Sequence, residues 1–482
     1  MSSSRRLSLA GLAIRGGFRL ERLRNYLVQL RATLWLLPAG ISVLACVLAF
    51  ALLTWGPNFA GGTVDALWWL FSGDAETARD LLSTLASGMI TMTSLVVSIT
   101  VVVLTLAANQ LGPRLVSRFM ADNQIKAVLG LFIGTILYLL TLLRSLNGDL
   151  AADQVPHLAV TVGTGLAVMC LFALLVYVHK IARSIIADTV VHDVTKDLRH
   201  AIAANLPEPT DDGLDEADPA HEPGPGLAPE RWLSADRSGY VQVIDYHALV
   251  KLAQREDVVL RLGIRPGHFV LPGGRHVGVL SAKAEELQEA IFRSIVIGAE
   301  RSPAQDIEYA IRQLVEIAVR ALSPGINDPF TAIAVIDQLG AALADIMARG
   351  TPEPVRRDEA GRVRVLADVA AFDGLIAAAF DQIRQAAQSH PAILIELADI
   401  LGKLAPTVRT EAHRRAILSH LAMIEGAGRR HIDEPADEQD LAVRIAAARH
   451  DLEPASDASG VAHATTRAKV SPCTTSENTT TV

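Results

Sequence analysis

The 482-residue chain is poor in the groups that usually carry catalysis or covalent bracing. Its three cysteines are Cys46, Cys170 and Cys473. Two lie in apolar runs and one in a polar tail, a spacing that supports neither a disulfide framework nor a structural zinc site. Aromatic residues make up 5% of the chain and charged residues 20%. No phosphate loop, His-x-x-x-His pair or Ser-His-Asp order stands in a supporting context, so we expect no enzyme, no cofactor and no metal. A formal net charge of −8 supplies no basic face for phosphates, and nucleic acid is not an expected partner. Carboxylates are missing from the interiors of the long apolar runs, which removes the usual mark of a proton relay or transporter.

What the chain has is hydrocarbon, and it is segregated. Runs near residues 34–55, 82–107, 127–146 and 158–179 reach the roughly 20 apolar residues that a bilayer core requires. Arg144, near the end of the third run, can snorkel to the interface. The flanking charges alternate. Arg5, Arg6, Arg15, Arg19, Arg22, Arg24 and Arg31 precede the first run, and Asp65, Asp74, Glu76 and Asp80 follow it against a single Arg79. Arg114, Arg118 and Lys126 follow the second, Asp149 and Asp153 the third, and Lys180 and Arg183 the fourth. The positive-inside rule then predicts four spans of a bacterial inner (plasma) membrane with both termini cytoplasmic. The basic segment 1–32 is too extended for a cleaved signal peptide. It suits a topology signal or a helix lying on an anionic leaflet, and both readings stand.

The second run poses the functional question. Thr84, Ser87, Thr91, Ser94, Ser98, Thr105 and Asn109 fall within an arc of roughly 80° at 100° per residue. Thr93 and Thr100 lie on the other side, and Val101, Val102 and Leu104 interrupt the line. A neutral hydroxylated stripe can line a water-filled path through an oligomer. Equally, small polar residues let helices approach closely and bond to one another in lipid.

Beyond the fourth run we expect a juxtamembrane helix over 183–204 that continues the span, then an acidic, Pro-rich linker over 205–234 whose composition cannot bury a core. A small α+β module over 235–282 follows, with strands near 240–244, 258–264, 268–271 and 277–280 and a helix capped by Asp245. Its "RPG" and "LPGG" pieces combine a fixed φ with glycine freedom, so Gly273 and Gly274 read as a tight turn rather than a phosphate loop. A cytoplasmic helical domain is expected over 283–450, and a Ser/Thr-rich tail without a fold over 451–482. The run Ser302-Pro303-Ala304-Gln305 reads as a capping box opening a helix that carries Glu308, Arg312, Glu316 and Arg320 four apart. That helix meets "ALSPGINDPFTA". Pro324 stops it, Gly325 can close its end in the left-handed conformation, and Asn327 or Asp328 caps a new helix with Pro329 at its first position. Capping chemistry accounts for these residues and leaves Ser323, Asn327 and Thr331 as spare polar groups for a ligand site. Further helices are expected near 366–388, 391–404 and 411–426.

The words "LGPRLVSRFM", "GYVQVIDYHALVKLA", "LGIRPGHFV" and, most specifically, "ALSPGINDPFTA" resemble a bacterial family of predicted integral membrane proteins, domain of unknown function twenty-two fifty-four. The likeness runs in order from the first span to about residue 425. His268 stands where the family pattern leads us to expect an acidic residue. The resemblance implies architecture and no activity. The expected fold class is membrane α-helical, with four transmembrane helices and a cytoplasmic region made of the small α+β module and the helical domain. Two functions follow as expectations: an oligomeric ion channel or pore with a cytoplasmic regulatory domain, or a membrane-anchored scaffold or sensor. The expected partners are the lipid bilayer and further copies of the chain.

Overall fold

A computed structural model describes residues 35–60, 74–110, 122–146, 155–184, 186–208, 231–281 and 284–453. The basic amino-terminal segment, most of the acidic linker, the word "LGPRLVSRFM" and the tail from residue 454 lie outside the described residues. Long apolar sequences form four helices: α1 (Leu36–Ala60), α2 (Ala75–Gln110), α3 (Asn123–Ser145) and α4 (His157–Ser184). Their starts are chemically marked. Asp74 accepts from the Thr77 amide at 3.0 Å, and Asp122 accepts from the Gln124 amide at 2.7 Å. Each carboxylate thereby satisfies a backbone donor that the first helical turn leaves open. Lys180, near the end of α4, reaches back to Asp122 and to the Gln124 side chain, tying the start of α3 to the end of α4.

Helix α3 is the centre of this bundle. Tyr138, Leu139, Leu142 and Phe132 are wholly buried there. Gly130 and Gly134 form a Gly-x-x-x-Gly face against Pro38, Ile41, Ser42 and Ala45 of α1. Without a Cβ the two backbones approach closely, which is how helices associate where the surroundings offer no hydrophobic drive. Polar pairs add to the packing. Tyr138 donates to the Ala159 carbonyl at 2.8 Å, the Thr135 hydroxyl and Cys170 thiol lie 3.3 Å apart, and Thr100 of α2 meets the Tyr177 hydroxyl of α4. Helices α1, α2 and α4 carry more of the large exposed aliphatics than α3, among them Leu44, Leu95 and Leu175.

After α4 the chain breaks. Ile186 is extended and α5 (Ala187–Asn205) begins anew, so the expected unbroken continuation of the fourth span is corrected: two helices meet at a joint. Helix α5 buries Val190, Val194, Leu198 and Ile202 against α8 (Ile307–Ala321) and α9 (Pro329–Arg349). The same cluster takes in α10 (Phe372–Ala386), α11 (Pro391–Lys403), α12 (Glu411–His431) and α13 (Pro435–Asp451). The expectation of helices near 391–404 and 411–426 matches α11 and α12, and α13 lies within the helical region expected to about residue 450, where the sequence pattern singles out no separate helix. Among the described residues five helices are long and apolar enough to cross a membrane, the fifth being Pro329–Arg349. Its apolar residues, from Ala332 to Met347, are part of the core of the helical cluster, so more than half of its most apolar stretch is buried within the chain.

Between α5 and α8 lies the sheet region. It comprises β1 (Arg231–Leu233), β2 (Gly239–Ile244), α6 (Tyr246–Glu256), β3 (Leu260–Leu262), β4 (Phe269–Val270), β5 (Val277–Val279), α7 (Ala284–Arg293) and β6 (Ile295–Gly298). Asp245 caps α6 by accepting from the Ala248 amide at 2.9 Å. Both Pro-Gly pieces make the turn expected of them: Gly267 at φ 92° and Gly273 at φ 84° follow a proline, and each turn closes with an amide-to-carbonyl bond of 3.1 Å. A three-stranded sheet has the order β4-β2-β6. The larger sheet runs β1-β5-β3-β8-β7, where β7 (Val355–Arg357) and β8 (Val363–Leu366) come from the connection between α9 and α10. The sheet therefore extends beyond residues 235–282, and the helix expected to begin at Leu366 begins at Phe372, because 363–366 is the strand that pairs in parallel with β3.

Candidate functional site

In α2 the stripe residues Thr84, Ser87, Thr91, Ser94, Ser98, Thr105 and Asn109 are all exposed on the bundle. The face that packs on the rest of the chain consists of Leu82, Ala86, Met89, Val96, Val103 and Ala107. On a helical wheel that face is centred roughly 180° from the stripe. The hydroxyls therefore do not bind α2 to the other described helices of its own chain. That work falls to Thr100 on the packed side, through Tyr177, while Thr93 donates to the Met89 carbonyl of its own helix at 2.7 Å. Within the stripe, Thr91, Ser94 and Thr105 donate to the carbonyls of Ser87, Ile90 and Val101 at 2.9–3.1 Å. Each proton is thus satisfied internally, while the oxygen keeps accepting capacity on its outer side. Exposed Leu95, Val97, Val101, Val102 and Leu106 flank the line.

The corner between α8 and α9 is a closed piece of capping chemistry. Asp328 accepts from the Thr331 amide at 3.2 Å and from the Thr331 hydroxyl at 2.5 Å, and Pro329 occupies the first helical turn. Ser323 donates its hydroxyl to the Arg320 carbonyl at 2.6 Å. Its own carbonyl accepts the amides of Ile326 and Asn327, at 3.0 and 2.9 Å, and the Asp328 amide returns to Ala321 at 2.8 Å. The left-handed residue is Asn327, with φ 51°, and not Gly325 as expected. Asparagine tolerates that region because its short side chain can bond locally. Of the three polar groups left over for a ligand, Ser323 and Thr331 are used in these bonds, and Thr331 is buried. Replacing Asp328 by alanine should lower stability by about 0.5–2 kcal/mol, and by asparagine or serine much less. Thermal melting of the three variants checks this. Equal loss of function without a melting change would mark a ligand site instead.

The expected capping box at 302–305 does not cap α8. Asp306 does, accepting from the Tyr309 amide at 2.9 Å. Gln305 is diverted to the sheet, where its side chain accepts from the Ile244 amide at 2.9 Å and donates to the Ile244 carbonyl at 3.3 Å. Beside it lies a charged cleft of about 540 Å³ whose wall includes Tyr240, Arg265, His268, Arg275, Arg301 and Glu308. Arg265 lies 3.4 Å from Glu308 and 3.5 Å from Asp368, and Arg301 pairs with Asp306 at 2.7 Å. Gly267 forms part of the wall because any Cβ there would meet the Asp306 carboxylate. Burial holds Asp306 above its ordinary carboxylate range against the pull of the Tyr309 amide and Arg301. For Glu308 burial pushes upward, but the hydrogen bond and charge of Arg312, with Arg301 and Arg265, leave it below its ordinary range. Burial, then Arg265, lower the His268 pKa in spite of Asp368 nearby. Acid and base largely cancel in this cleft, which joins the sheet to the helical cluster. Its arginines are far apart in sequence, so no local motif betrays them. The Gly130–Gly134 contact, by comparison, was open to discovery from its spacing alone. Among the described residues no group of three or more His, Cys, Asp or Glu side chains gathers as a metal site.

Comparison with known proteins agrees with the hydrocarbon-rich half of this architecture. An uncharacterized protein of Mycobacterium tuberculosis and another of Mycobacterium bovis are each 30% identical to the chain over 437 residues, covering 89% of this chain and 82% of the relative. No solved structure matches. The family model described as "Predicted membrane protein (DUF2254)" matches residues 31–403, from the start of the first apolar helix through α11, and the chain belongs to that family of membrane proteins.

Proposed function

We propose that the chain forms a homo-oligomer in the bacterial inner membrane, in which α2 of each copy turns its hydroxyl stripe toward a central path for small ions. The observation that carries this reading is the orientation of α2: the stripe points away from the chain's own helices, between flanks of exposed aliphatics. Seven polar side chains aligned on an outer face are poorly suited to lipid alone and well suited to water or to an identical neighbour. In this reading α1 to α4 span the bilayer, both termini are cytoplasmic, and the sheet and helical cluster form the cytoplasmic part that regulates the path. No catalysis, cofactor or nucleic acid belongs to it. Purified protein in liposomes should pass monovalent ions, and Ser94→Leu should reduce the flux while leaving oligomer size unchanged. An oligomeric preparation without flux would end the channel reading. Reporter fusions at residues 65, 120, 152 and 230 should read outside, inside, outside, inside.

A second reading, a membrane-anchored scaffold or sensor, draws on the arginine-walled cleft between the sheet and α8. It predicts an intact oligomer with no flux, and a change in melting on addition of a ligand that enters the cleft.

A further inference from the structure

Three contacts fix how α8 and α9 run relative to α5, the helix that follows α4. At the far end of α5, Asn205 donates to the Ala304 carbonyl at 3.1 Å, just ahead of α8. At the end of α9, Arg349 donates to the Pro207 carbonyl at 3.2 Å. Midway, Arg199 of α5 lies 3.5 Å from Gln338 of α9. Helix α8 therefore runs antiparallel to α5, and α9 runs parallel to it. Both place the α8–α9 corner at the near end of α5, beside the joint at Ile186 where the chain leaves α4. At 1.5 Å per residue, the 19 residues of α5 separate this end from the far one by about 28 Å.

The corner and the joint are apolar on the outside. Phe330 is 81% exposed, Ile186 51% and Ile326 37%. Isolated exposed apolar residues are ordinary, but three at one level of the molecule, next to the mouth of an apolar helix, form a surface with a direction. The corner that holds two of them is rigid. Every bond described above, from the Asp328 cap to the two amides on the Ser323 carbonyl, is used to close the turn, and none of them involves the side chain of Ile326 or Phe330. Basic Arg183 and Arg320 stand at the same level, at the last turns of α4 and α8. Apolar side chains beside basic ones are what a helix or loop uses to sit at the boundary of headgroups and acyl chains.

We propose that the α8–α9 corner rests on the lipid surface, with Phe330 and Ile326 entering the interface and Arg320 among the headgroups. This inference rests on the reading that α4 crosses the bilayer. It makes the corner a second foot of the soluble part, the first being the covalent joint at Ile186.

The full chain, with Cys46, Cys170 and Cys473 replaced by alanine, is placed in nanodiscs of phosphatidylethanolamine and phosphatidylglycerol. Ile326→Cys and Phe330→Cys, each carrying an environment-sensitive fluorophore, are compared with Leu175→Cys on the exposed face of α4 and Glu353→Cys beyond the end of α9. Phe330 and Ile326 are outward side chains, so neither substitution disturbs the core. A nitroxide on the upper acyl chain should remove about half of the emission at 326 and 330, with a blue shift, and leave Glu353→Cys to aqueous iodide. Iodide quenching at 326 and 330 equal to that at 353 would overturn the proposal, as would protection from both quenchers, which would assign the corner to a protein partner. If the label at Leu175 also escapes the lipid-borne quencher, the transmembrane reading of α4 has failed with it.

Discussion

Leucine at Gly130 should take the bundle apart. A Cβ at that position would lie 2.8 Å from the Pro38 Cα and 2.9 Å from the Ile41 side chain, and the first of these is backbone that cannot step aside by a rotamer change. Overpacking of a well-packed core costs about 1–3 kcal/mol where side chains can yield. Here a whole helix must move, which forfeits the α1–α3 interface including the Gly134 contact with Ala45. The expected result for Gly130→Leu is loss of the monodisperse, cooperatively melting species in mild detergent, and for Gly130→Ala a lower melting temperature. Gly165→Leu on α4 is the matched control, since nothing lies within 4 Å of a Cβ there. Should Gly130→Leu and Gly165→Leu melt alike, α1 does not pack on α3 through this face.

Single cysteines along α2 should separate the environments open to the stripe. Positions 84, 87, 91, 94 and 98 should react with small, charged, membrane-impermeant thiol reagents faster than Val96→Cys and Val103→Cys by about an order of magnitude or more. Only an ionised thiolate in water attacks such reagents, and Val96 and Val103 face the chain's own core. Reactivity should fade toward Leu104, where the line is interrupted. If α2 packs against α2 of a neighbouring copy without a path, the stripe positions stay unreactive yet cross-link to one another under mild oxidation. Silence in both assays would leave the hydroxyls facing lipid, satisfied by their own helix.

Much of this molecule is written in local signals, and the rest is not. The four long apolar helices, the Asp245 cap, the two Pro-Gly turns and the Asp328-Pro329 start of α9 each follow from a few adjacent residues. The failures arise where a hydrogen bond that the sequence pattern does not show outbids the expected one. Gln305 looks like the closing residue of a capping box, but the unpaired edge of Ile244 claims its amide and Asp306 takes the cap. Gly325 looks like the left-handed residue, but the Ser323 carbonyl gathers two amides in a way that puts Asn327 there. The stripe on α2 was legible as a stripe. That it lies opposite the packed face was not, because the sequence of one helix does not reveal which side its neighbours occupy.

The parallel pairing of β3 with β8 has a consequence for how the protein is made. Leu260 lies opposite Val365, and Arg261 opposite Leu366, so the central neighbour of β3 in the larger sheet comes from far down the chain. Synthesis proceeds from the amino terminus, and everything from α7 to β7 must emerge before that partner exists. Until then one edge of β3 stands open, with unpaired backbone groups beside buried Leu260 and Leu262, while the apolar helices ahead of it have already left the ribosome. A nascent chain halted ahead of residue 363 thus presents a half-built sheet, and completion of this region belongs to the late stage of translation, after the hydrocarbon part has been handed to the membrane.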